Sequence, residues 1–94
     1  MEKLPPVFAS PVTWFVYWTD MPPGNEEEWL GGAFVMGTDI MSAFGASQHL
    51  EGCPGGKRHF RPLPLRPAIS YMGRVIRDRE EVDLALSSLS VGDA

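Results

Sequence analysis

One nine-residue run limits the fold more than any other: VTWFVYWTD, residues 12–20. Its β-branched and aromatic side chains fit a pleated, packed surface better than a helix. Side chains along a strand alternate between faces. Val12, Trp14, Val16 and Trp18 therefore point one way, and Thr13, Phe15, Tyr17 and Thr19 the other. Both sets are apolar-rich, so the run predicts a central strand, or one covered on both faces. A second copy of the chain is one candidate cover, which makes a homodimer one expected arrangement.

The remaining segments supply partners for that strand. WLGGAFVM, 29–36, predicts a second strand, with Gly31-Gly32 as a bulge or a close approach. MPPGNEEE, 21–28, joins the two as a long hairpin loop. Residues 37–52 predict a helix capped by Thr38 or Asp39, with Ile40, Phe44, Ser47 and Glu51 on one face, Ala43 and Leu50 beside it, and Gly52 as a left-handed C-cap. KRHFRPLPL, 57–65, predicts a third strand at a sheet edge, ended by prolines. AISYMGRVI is expected to hold a short helical turn. DREEVDLALSSL, 78–89, opens with the capping-box pair Asp78 and Glu81 and carries an apolar stripe of Val82, Ala85, Leu86 and Leu89. With 94 residues the chain is expected to be a single domain. The expected class is α+β: a three-stranded antiparallel sheet in ββαβ order, one helix packed on a face and the C-terminal helix beside it. Trp14, Phe15, Val16, Trp18, Phe34, Ile40, Phe44, Val82 and Leu86 are the expected core.

Charge is unevenly distributed. Residues 1–52 hold seven acids and one base, and residues 57–77 hold six bases and no acid, on a chain of net charge −4. The basic segment either meets an anionic partner or is neutralised by the acidic half in the fold. The net charge opposes direct binding of DNA or RNA. A single cysteine excludes an internal disulfide and fits a reducing compartment. The N-terminus lacks the apolar core of a signal peptide, and the longest apolar run, VTWFVYW, is too short to span a bilayer. A cytoplasmic protein without membrane contact is expected.

EGCPGGKRHFR, 51–61, is the stretch densest in chemistry. It is one residue short of a nucleotide P-loop, has Arg58 where Ser or Thr belongs, and follows a helix instead of preceding one. Cys53, with His49 and His59, lacks the orienting partner of an activated thiol, and one Cys and two His fall short of a zinc set. Consecutive carboxylates at Glu26, Glu27 and Glu28 cannot all converge on one ion. No metal, cofactor or catalytic residue is therefore expected. Two roles remain for the stretch. It is a helix-to-strand connection, and it can add an anion nest: the amides of Gly55 and Gly56 with Lys57, Arg58, His59 and Arg61, and Tyr71 or a tryptophan to stack on a base. A separate candidate is an acidic protein-binding patch of Glu26, Glu27, Glu28 and Trp29.

The segments WFVYWTD, LGGAFVMG, EGCPGGK and YMGRVIRDREEVDLAL, together covering most of residues 12–86, resemble a group of small proteins of phages and other bacterial mobile elements. That group runs strand, strand, helix and a GCNPGG-like loop. This chain departs from it in lacking Asn between Cys53 and Pro54 and in carrying Lys57 where an acid is usual. The resemblance implies a context: inhibitors of host defence, anti-CRISPR proteins among them, or sponges for a signalling nucleotide, acting in the cytoplasm of the host bacterium. It assigns no residue a role. The leading expectation is a non-enzymatic inhibitor that contacts a bacterial protein. The alternative is a small-anion sponge using the 52–61 loop.

Overall fold

The computed structural model describes residues 7–20 and 28–89. Strand β1 (Val12–Asp20) is followed by β2 (Glu28–Gly37), helix α1 (Ile40–Gln48), β3 (Lys57–Leu63), one 3-10 turn (Ile69–Tyr71) and helix α2 (Arg79–Ser87). The sheet order is β2-β1-β3, and both neighbours run antiparallel to β1. β2 and β3 thus run in the same direction, joined through α1, with β1 in the gap between them. This is the expected α+β sheet, with the two-faced strand at its centre.

Each face of β1 has its own core. Trp14, Val16 and Trp18 pack with Ala33, Val35 and the α1 residue Ala43. Phe15 packs with Phe34, Leu63, Ile76 and the α2 residues Val82 and Ala85. The molecule is therefore three layers, α1 on sheet on α2. The C-terminal helix was expected beside α1. It takes the opposite face, because Phe15 and Phe34 would otherwise stand in water. The cover that a second copy could have supplied comes from within the chain.

The α1 face is graded by size. Trp14 lies opposite Val35, Val16 opposite Ala33 and Trp18 opposite Gly31, so each large β1 residue has a smaller neighbour on β2. Trp14 Nε1–H donates to Gly37 O at 2.9 Å, while Trp18 Nε1 is buried without a partner among the described residues. Asp39 caps α1, its Oδ1 accepting from the Ser42 N–H at 2.8 Å. Asp78 caps α2 by accepting from Glu80 N–H, but Glu81 turns outward to Arg74 instead of closing the capping box.

Three expectations need correction. α1 ends at Gln48 with His49 as its C-cap, so Gly52 does not cap it; Gly52 has a left-handed backbone (φ +77°) in the following turn. The inward line of α1 is Ala43–Ser47, which swings Glu51 into solvent and leaves Phe44 38% exposed. Phe44 sits at the sheet margin against Phe60, with ring centroids 6.0 Å apart. Ile40 and Leu86 are half-buried, while Ala33, Val35, Leu63 and Ile76 join the buried core unforeseen.

The chain after β3 guards an edge. Gly32 and Ile76 exchange both backbone hydrogen bonds, at 2.8 and 2.7 Å, and Gly73 N–H donates to Phe34 O. The outer edge of β2 is thereby paired at these positions. Among the described residues β3 is an edge strand, blunted by Lys57, Arg61 and Pro62.

Candidate functional site

The pleat of β3 decides the fate of the basic stretch. Arg58 lies opposite Trp18, on the α1 face; Lys57, His59 and Arg61 lie opposite Thr19, Tyr17 and Phe15, on the α2 face. The expected convergence of these groups around Gly55 and Gly56 does not occur. Arg58 is an internal brace. Its guanidinium donates to Ser47 Oγ at 2.9 Å and lies over the Phe44 and Trp18 rings at 4.6 and 5.7 Å. The last turn of α1 has no basic residue of its own, so Arg58 supplies the cation that the helix dipole favours there. Gly56 is where the loop crosses β1. It has φ +78°, and a Cβ there would meet Thr19 O at 2.5 Å. Gly55 is exposed, with open space around it. Cys53 Sγ–H donates to Ser47 O and Leu50 O. The loop connects α1 to β3, and the side chains that follow it divide between the two faces of the sheet.

On the α2 face a cleft of about 340 Å³ opens between the sheet and α2. Its floor is Phe15, Tyr17, Thr19 and Trp29; Arg61 closes it from β3, and Arg79, Val82, Asp83 and Leu86 from α2. The rings run nearly parallel: Tyr17 and Trp29 at 17°, Phe15 and Trp29 at 28°, Phe15 and Tyr17 at 28° with centroids 5.1 Å apart. His59 extends this row by stacking on Tyr17 at 4.6 Å, and its Nε2 shares a hydrogen bond with Thr19 Oγ1 at 2.8 Å.

Trp29 reaches this face through a bulge. β1 and β2 pair in step from Val12–Gly37 to Trp18–Gly31; then Thr19 pairs with Trp29, leaving Leu30 as the extra residue. Were Leu30 paired in step instead, strict alternation would place Trp29 with Gly31 and Ala33 on the α1 side. With the bulge, Leu30 packs toward α1 and Trp29 toward the cleft. Gly32 leaves the room required, since a Cβ there would stand 2.9 Å from the Trp29 ring and 3.0 Å from Phe15. Trp29 Nε1–H donates to Arg77 O at 3.1 Å, fixing the indole from the α2 side.

The electrostatics are simple. Arg79 lies 4.9 Å over the Trp29 ring. Neither Arg61 nor Arg79 has a carboxylate partner among the described residues, whereas Arg74 has Glu81. Asp83 is the only acid lining the cleft among the described residues. No group of His, Cys, Asp and Glu among the described residues is placed to hold a metal ion.

Of the expected site residues, Trp29 and Arg61 line the cleft, His59 backs it, and Lys57 is exposed on its face. Arg58, Gly55 and Gly56 lie elsewhere. Tyr71 packs in the α2-side core with Arg74 over its ring at 6.0 Å, away from the loop it was expected to assist. Glu26 and Glu27 lie outside the described residues; Glu28 is exposed beside Trp29, which is a half-buried wall and not a protruding anchor. Phe15, Tyr17, Arg79 and Asp83 were not foreseen as site residues. Their signal was present: alternation groups Phe15 with Tyr17, and Arg79, Val82, Asp83 and Leu86 follow the i, i+3, i+4, i+7 spacing of one helix face.

No helix among the described residues is long and apolar enough to cross a membrane. No family model, curated protein or solved structure matches the chain.

Proposed function

We propose that this protein is a binding protein that works without catalysis, and that it holds an anionic group of its partner in the cleft under α2. What carries the reading is the pair Arg61 and Arg79: two guanidiniums without carboxylate partners among the described residues, set on a cleft walled by aromatic rings. Guanidiniums stay charged and bind carboxylate or phosphate in forked geometry; at neutral pH they hold anions and do not exchange protons. A volume of about 340 Å³ is at the small end of ligand sites. A bacterial protein presenting an acidic side chain and a small free anion offer the same chemistry. In the first case the protein is an inhibitor carried by a mobile element and acting in the host cytoplasm; in the second it is a sponge.

Backbone amide shifts followed by NMR test this during titration with acidic peptides and with small aromatic anions. Shifts are expected at residues 15–19, 61 and 79–86, and should disappear in an Arg61→Ala/Arg79→Ala double variant. Shifts confined to 52–58 would return the site to the glycine loop and overturn the assignment.

A further inference from the structure

Resting on that reading, we propose that the cleft is built for a mononucleotide-class ligand: a flat base joined to phosphate. Three features converge on this class. The near-parallel Tyr17 and Trp29 rings, 17° apart, are a stacking surface for a planar group. A planar cation already occupies part of it, the Arg79 guanidinium 4.9 Å over Trp29. A base takes that place, and Arg79 turns from the ring to the ligand's phosphate. Arg61 approaches from β3 and Arg79 from α2, so one tetrahedral anion between them receives donors from two directions.

Asp83 separates this class from a plain anion. A carboxylate in the same cleft repels phosphate alone or a polyanion, but it accepts a hydrogen bond from the amino or ring N–H of a base. The volume of about 340 Å³ suits one nucleotide and is too small for a helix or a duplex.

Isothermal titration of the full chain with adenosine 5′-monophosphate, guanosine 5′-monophosphate, the two nucleosides and inorganic phosphate tests the proposal. At least one monophosphate should bind ten-fold or more tightly than its nucleoside or phosphate alone. Arg61→Ala should remove most of that ten-fold difference and leave the nucleoside affinity unchanged. Trp29→Leu should weaken nucleoside and nucleotide together, and circular dichroism checks that both variants are folded. Equal binding of nucleoside and monophosphate, or no binding of either, would overturn the proposal. A short acidic peptide carrying one tyrosine separates the two levels. If it binds in an Arg61-dependent way while the nucleotides do not, the cleft remains a binding site and only the ligand class falls. If the peptide fails as well, the binding reading falls too.

Discussion

Arg58 and Arg61 sit three positions apart on one strand and do different work, because the pleat sends them to different faces. Arg58 is half-buried, bonded to Ser47 and stacked over two rings. Arg58→Ala should lower stability by about 1–2 kcal/mol in chemical denaturation, from one charge-assisted hydrogen bond and the lost cation–π contact. Arg61→Ala should change stability by less than about 0.5 kcal/mol, as an exposed surface substitution, while weakening anion binding up to about ten-fold. A neighbouring contrast separates two glycines. Gly56→Ala meets Thr19 O as well as an unfavourable φ, whereas Gly55→Ala meets only the latter, at φ +86°. The first should cost roughly 2 kcal/mol or more, the second about 1.

At the scale of elements, the strands and helices were legible because their signals are local: alternation in β1, an acidic cap before α1 and another before α2. The bulge at Leu30 was not. Gly31-Gly32 marked the right neighbourhood, but the extra residue is defined only by pairing with β1. The placement of α2 was equally hidden, since its stripe says that it packs and not on which face. The site suffered most. A list of basic residues at 57–61 looks like one cluster in sequence, and alternation splits it. Deleting Leu30 should remove the bulge and keep Trp29 on the cleft side, because Trp29 would then directly precede Gly31 and alternation sends adjacent residues to opposite faces. Cleft binding should survive in a chain that loses only the Leu30 contact with the α1-side core, with ligand-dependent tryptophan quenching as the readout. The cap of α1 gives a pH prediction. Asp39 is held below its ordinary value of 3.8, first by the Ser42 backbone N–H and then by the Ser42 side chain, with burial opposing. A depressed carboxylate contributes stability that is fully present above its unfolded value and lost as pH falls through the folded one. Asp39→Asn should therefore flatten the acid limb of stability below pH 3.8 and leave the neutral region little changed.

At the scale of the molecule, two thin cores share one strand. A domain of this size has a net stability of roughly 5–9 kcal/mol, and truncating a buried tryptophan costs about 3–5. Trp14→Ala should accordingly remove roughly half of that stability and lower the midpoint of thermal unfolding by roughly 15–30 °C. Ending the chain after Arg77 would uncover Phe15 and Phe34, both buried in the intact protein; self-association in light scattering is the expected result. Because β1 belongs to both cores, either helix can lift away while the sheet keeps the other. In hydrogen exchange, α1 and α2 should each open through their own partial excursions, and the amides of β1 should wait for the whole molecule. The strand that stays protected longest would then be the one whose Phe15 and Tyr17 floor the cleft, so a bound ligand would slow the exchange of α2 far more than that of α1.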